Sequence, residues 1–253
     1  MRLNAQLSGL SDILYLRRLY LQEANTQIRY NAVHERGSSD SYLLSADEKY
    51  VGYGSVRGQN LTERDTIFEF YVMPAYRHLA STFFQKVLES SKAKYLECQT
   101  NDLLFSSMVF EFGENIKSDT ILFSDGGATQ LSVPGAIFRK RKEGDSLFEH
   151  HHEPEGEYVL ELDGEVKATG GFLMHYNMPF SDLYMEVKEE ARKKGLGSYL
   201  IQEIKKESYL AGRIPAARCN IDNSASKSTL LKGGLKIAGY MLFATINKRG
   251  ELP

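Results

Sequence analysis

Two cysteines in 253 residues, Cys98 and Cys219, are too few for a disulfide framework, which excludes a small stapled scaffold. No apolar run approaches the roughly 20 residues that a membrane-spanning helix requires. The first residues, Met1 to Gln6, lack the apolar core of a secretory leader, so a cytoplasmic protein without a membrane partner is expected. Neither sign of charge is in excess: 31 basic against 33 acidic residues leave a net charge of -2, which argues against a nucleic-acid partner. A complete G-x-G-x-x-G is missing, which counts against a dinucleotide oxidoreductase. The run His150-His151-His152 has no His-x-x-x-His helix pattern around it, and three adjacent histidines do not converge on one ion, so no metal is expected.

What is present is concentrated between residues 182 and 200. An apolar strand candidate, Leu183 to Val187, runs through a charged turn into Arg192-Lys193-Lys194-Gly195-Leu196-Gly197 and then into an amphipathic helix. Two glycines one residue apart let the backbone turn tightly and bring bare amides against a ligand. The following helix adds its unpaired N-terminal amides and the positive end of its dipole. Arg192, Lys193 and Lys194 add formal charge and Ser198 a hydroxyl, so the stretch is built to cradle phosphate.

A second motif follows at the right distance. Pro215 to Asp222 reads as a strand, and Asn223-Ser224-Ala225-Ser226-Lys227-Ser228-Thr229-Leu230-Leu231-Lys232-Gly233-Gly234 opens with a capping residue and closes on glycine. The R-x-x-G-x-G loop together with this N-x-x-S-x-x-T-L-x-K-x-G segment resembles the GNAT superfamily of acyl-CoA-dependent N-acyltransferases, directly over about residues 136 to 246. The resemblance implies acetyl-CoA as co-substrate, lying between the strand of Met185 and Val187 and the strand ending near Asn220. Its phosphates would rest on the backbone of Lys193 to Ser198 beside Arg192, with Asn223 and Ser226 as further contacts. It also implies direct attack of a primary amine, of a small molecule or peptide, on the thioester. Glu186, at the strand end, and His175 are the candidate general bases. Many members carry a tyrosine proton donor where this chain has Leu230, which leaves Tyr184 or Tyr240 as substitutes and keeps a non-catalytic acyl-CoA sensor or assembly module as the alternative. Glu149, Glu153, Asp182 and Glu186 around the presumed mouth hint at a cationic acceptor.

The first half repeats the element order of the second. Residues 9 to 35 read as one or two helices, followed by strands at 41–45, 50–57 and 66–73. A helix after Pro74 has Leu79, Phe83, Phe84, Val87 and Leu88 on one face. A strand at 94–99, a helix at 103–112 and a strand at 120–123 complete it. Val72 to Arg77 and Val187 to Arg192 are each five positions apart, and Cys98 to Gly113 and Cys219 to Gly234 each fifteen. Such a repeat suggests two domains of one fold: a degenerate domain over 1–125, a linker over 126–135 and an acyl-CoA-binding domain over 136–253. Each is expected to be a mixed α/β domain with a mostly antiparallel twisted sheet flanked by helices. The first has Arg77-His78-Leu79-Ala80-Ser81-Thr82 in place of the glycine loop and Asp102 in place of Asn223, so it is not expected to hold CoA. In the second, Asp163-Gly164 is a hairpin signal, the polar stretch 142–156 stands where the first half has its helices, and 235–246 is expected to be a closing hairpin around Gly239. Oligomeric state is not legible.

Overall fold

The computed structural model describes residues 1–24, 27–58 and 62–247. The chain folds as two compact units, one comprising Met1–Asp119 and Gly239–Pro253, the other Thr120–Ala238. Both are mixed, mostly antiparallel sheets with helices against them.

In the first unit, β1 (Leu3–Ser8), β2 (Ser39–Ala46), β3 (Lys49–Arg57) and β4 (Thr66–Val72) are antiparallel neighbours in chain order. β5 (Tyr95–Gln99) then runs parallel to β4. The helices are α1 (Leu10–Glu23), α2 (Asn31–Glu35), α3 (Ala80–Ser91), entered through a 3₁₀ turn at Pro74–Leu79, and α4 (Leu103–Phe112). Helical spacing puts Ile13, Leu16 and Tyr20 of α1 onto Leu43, Tyr53 and Tyr71. Phe83, Phe84 and Val87 of α3 join Phe70, Leu96, Phe105 and Val109 in a further apolar cluster. Each such side chain stabilises the fold by roughly 1.5–3 kcal/mol. The strand β1, with Leu3, Ala5 and Leu7 alternating ahead of Ser8-Gly9, was not expected; it forms by pairing with β2 along its whole length.

The second unit contains β7 (Ile137–Lys140), β8 (Tyr158–Leu162), β9 (Glu165–Leu173), β10 (Phe180–Val187), α5 (Leu196–Leu210), β11 (Ile214–Asn220) and α6 (Ser224–Lys232). The Asp163-Gly164 turn has both residues at positive φ, +54° and +76°, as a tight two-residue hairpin requires. Leu200, Ile201 and Ile204 of α5 are fully buried. Stretch 141–157 forms no helix.

The two remaining strands, β6 (Gly113–Asp125) and β12 (Leu235–Ile246), each pass from one unit to the other. Residues Thr120 to Ser124 of β6 pair with β11, and Met241 to Thr245 of β12 pair with β5, so each repeat hands its last strand to the other's unit. The expected hairpin around Gly239 is therefore a single continuous strand. Gly239 serves close approach instead of a turn: a Cβ there would lie 2.9 Å from Thr100 Oγ1, which accepts the neighbouring Tyr240 amide at 2.9 Å. Residues 126–131, of linker composition, are tied down on α5. Buried Lys205 donates to the carbonyls of Gly127 and Gly234 at 2.6 and 2.8 Å and pairs with Asp125 at 2.9 Å. Gln202 accepts from Thr129 Oγ1 and the Leu131 amide.

Candidate active site

In the second unit, β10 and β11 run parallel but register only over three positions, Phe180 to Asp182 against Ile214 to Ala216. Beyond them β10 continues to Val187 and β11 to Asn220, β11 being paired on its far side with β6. The result is a slot closed at Asp182 and Ala216 and open toward Val187 and Asn220. Its facing edges are not engaged with each other, so their peptide groups are open to an extended polar ligand.

At the open end, Arg192 Nε donates to the Val187 carbonyl at 3.1 Å and holds the following loop to the strand. Lys193 and Gly195 both have left-handed backbones, φ +64° and +80°, and Gly195 is the N-cap of α5 with no side-chain cap. The first amides of this 15-residue helix thus point outward beside the exposed Arg192, Lys193 and Lys194, a concave set of donors suited to an anion. Gly197 is needed for space: a Cβ would sit 3.1 Å from Thr229 Cγ2 and 3.4 Å from Met185 Sδ. Leu196 and Ser198 are buried, so their side chains support the helix start and only their backbone belongs to the cradle.

On the same flank Asn223 accepts the Ser226 amide at 2.9 Å and caps α6, and Asn220 accepts the Asp222 amide at 2.8 Å. Both are exposed beside the slot. Leu230 is buried, Tyr240 belongs to the first unit, and Tyr184 lies against Gly171 with its hydroxyl pushed up by burial and by Glu157 and Glu153.

The opposite face of β10 and β11 presents Asp182, Tyr184 and Glu186 with Arg218, under the stretch 148–153. Glu186, 5% exposed, accepts backbone amides from His151, His152 and Glu153 at 3.0–3.1 Å. Burial works against its charge, but these three donors prevail and hold its carboxyl below the ordinary value. It is a loop anchor with both oxygens occupied, which is poor geometry for the base role considered for it. His150 is likewise built in, with Nε2 2.6 Å from the buried Thr169 hydroxyl and its ring stacked on Phe148. His175 follows β9 with Nε2 3.0 Å from Asp182 Oδ2. Asp182 is itself buried and 4.0 Å from Arg218 Nε. Glu153, read in the sequence as one of four acidic residues around the presumed mouth, has its carboxyl pushed up by desolvation and then by Asp182. Its place here depends on the Glu186 clamp, which no sequence signal announces. Among the described residues no His, Cys, Asp and Glu group is arranged to hold a metal.

The first unit has a corresponding splayed strand pair, beside an open cavity lined by Tyr20, Phe70, Arg77 and Asp102. β4 and β5 register only at Thr66–Tyr95 and Ile67–Leu96. Past that point the Tyr20 hydroxyl donates to Asp102 Oδ2 at 3.0 Å and lies 3.1 Å from Gln27 Oε1. Asp102 caps α4 where Asn223 caps α6. The helix start has Leu79 at the N-cap with φ -107° and no glycine.

A family model described as "Acetyltransferase (GNAT) domain" matches residues 10–126, and one described as "Acetyltransferase (GNAT) family" matches residues 129–230. No curated relative matches the chain. Among solved structures, the fold is similar to an acetyltransferase from the GNAT family of Colwellia psychrerythraea, with a TM-score of 0.72 at 13% identity over 98% of this chain and 100% of the other. A GCN5-related N-acetyltransferase from Sphaerobacter thermophilus is similar with a TM-score of 0.61 at 13% identity, over 97% and 96%. A tandem GNAT protein from the clavulanic acid biosynthesis pathway, solved without AcCoA, has a TM-score of 0.55 at 11% identity, over 96% and 98%.

Proposed function

Because the chain belongs to the GNAT acetyltransferases, with two domains of that family in tandem, we propose that it transfers an acetyl group from acetyl-CoA to a primary amine, and that the second unit is the active one. One observation carries the reading: the slot between β10 and β11 opens directly onto an uncapped, left-handed helix start flanked by Arg192, Lys193 and Lys194. The residues present fit the co-substrate. The amides from Lys193 to Ser198 would hold its phosphates, the edges at Met185 and Val187 its extended arm, and Asn220, Asn223 and Ser226 line the other flank. Bound there, acetyl-CoA supplies an activated thioester. With phosphates at the open end, its reacting end is directed toward Asp182 and Ala216, where the face opposite α5 presents His175, Glu153 and Arg218 to an acceptor. The first unit, with the buried acid Asp102 in the place of Asn223 and no glycine loop, is read as non-binding.

Calorimetric titration of acetyl-CoA into the wild type and a Gly195→Asp, Gly197→Asp double variant tests the reading. Micromolar affinity, about -8 kcal/mol, that disappears in the folded variant is expected; no binding to the wild type would sink it. The buried Leu230 at the usual donor position favours a second reading, a non-catalytic acyl-CoA-binding module. Binding without transfer to any amine would establish that one.

A further inference from the structure

We infer that His175, held by Asp182, takes the proton from the acceptor amine, and that Glu186 does not; the inference rests on the acetyltransferase reading above. Asp182 is the last β10 residue in register with β11, so it marks the closed end of the slot, to which the reacting end of a phosphate-anchored thioester is directed. Asp182 is 6% exposed, and its carboxylate lies 3.0 Å from His175 Nε2. A buried carboxylate on one ring nitrogen fixes the imidazole's orientation and tautomer and leaves the other, Nδ1, to accept a proton. The ring is packed edge-on against buried Tyr176, with centroids 4.8 Å apart, and remains partly open to solvent.

Glu186 stands on the same face four residues further along β10, but its two oxygens already accept three amides. Deprotonating an amine there would require breaking the clamp on residues 151–153. The other charged groups that face the pair are Arg218 from β11, at 4.0 Å from Asp182, and Glu153 from the stretch above; Glu153 in turn faces His152 and Glu186.

The step balances as follows. An ammonium R–NH3+ gives one proton to His175 Nδ1, directly or through one water, and this frees the nitrogen lone pair. The N–C bond to the acetyl carbon forms as the C–S bond breaks, with sulfur keeping the electron pair. A second proton from nitrogen goes to the sulfur, and the imidazolium releases its proton to water. The products are amide, thiol and one proton. Asp182 acts through His175 and is a positioning residue.

The test uses the full chain with acetyl-CoA and a panel of ethanolamine, spermidine, tyramine and glycinamide. His175→Gln is expected to bind acetyl-CoA as the wild type does, while kcat falls about 100-fold or more. The wild-type kcat/KM should rise along an acid limb that His175→Gln abolishes and Glu186→Gln retains. Asp182→Asn should lower kcat with little change in acetyl-CoA affinity, and Asp182→Glu should restore part of it. A His175→Gln variant with undiminished kcat and an intact limb would overturn the assignment, as would a wild type that binds acetyl-CoA but acetylates none of the amines. A wild type that does not bind acetyl-CoA at all removes the acetyltransferase reading itself.

Discussion

Arg192 Nε donates to the carbonyl of Val187 at 3.1 Å, and in the first repeat Arg77 Nε donates to that of Val72 at the same distance. In both halves an arginine five residues beyond the strand end folds the loop back onto it and aims the next helix. The scaffold is shared, and only the second copy adds glycine at the helix start. Arg192→Ala should therefore weaken acetyl-CoA binding about tenfold, or roughly 1.4 kcal/mol. Arg77→Ala should leave it unchanged. Calorimetry on both variants checks the pair, and equal losses would contradict the assignment of the cradle to the second unit.

Glu186 sets a pH dependence of stability. Its carboxyl is held below its ordinary value in the folded state by three amides. Such a group contributes stability above its unfolded pKa, and the contribution is lost as pH falls through the depressed folded one. Glu186→Gln should thus lower the melting temperature at pH 7, and the gap to the wild type should close on acidification below pH 4. Amide exchange at His151, His152 and Glu153 should accelerate in the variant at neutral pH.

Asp102 carries the opposite sign. Burial pushes its carboxyl up to about 6, against the hydrogen bonds from the Phe105 amide and Tyr20. A carboxyl whose folded pKa is raised favours the folded state at low pH, and that advantage is lost as pH rises through the folded value. Asn keeps the capping oxygen without the charge. Asp102→Asn should stabilise the protein by about 1–3 kcal/mol at pH 7.5, since each pKa unit is worth about 1.4 kcal/mol, and should be neutral or mildly destabilising at pH 4. Urea titrations at the two pH values measure it.

Lys205 is 2% exposed and completes three contacts, to Gly127 O, Gly234 O and Asp125. Lys205→Met removes the donor and leaves two carbonyls and a carboxylate without it, at a cost of about 3–5 kcal/mol. The loss should appear as a lower melting temperature together with faster exchange over residues 126–131, which would keep Gln202 and the Gly126 amide on Gly234 O but lose the buried ammonium.

Much of this was legible before any coordinates. The helical spacing of Phe83, Phe84 and Val87, the capping role of Asn223, the positive-φ pair Asp163-Gly164 and the glycine start of α5 are properties of a few neighbouring residues. Local sterics and side-chain chemistry are enough to specify them. The spacing of Val72 to Arg77 and Val187 to Arg192 likewise disclosed the repeat, because each arginine reaches a carbonyl only five residues back.

What tertiary structure alone decided is which distant groups meet. Strand composition says that Thr120 to Ser124 and Met241 to Thr245 are strands, but any edge of the right length offers the same peptide donors and acceptors. Only the assembled sheets give the first to β11 and the second to β5. In the same way, Glu186 reads in sequence as a free strand-end carboxylate and as the better base, until a loop 33 to 35 residues earlier brings three amides onto it. His175 reads in sequence as the second candidate base with no partner named for it, until Asp182, across the β9–β10 turn, closes to 3.0 Å. Local chemistry determined the cradle because its parts are contiguous; long-range packing decided the chemistry of the opposite face, because a carboxylate's role depends on which donors reach it.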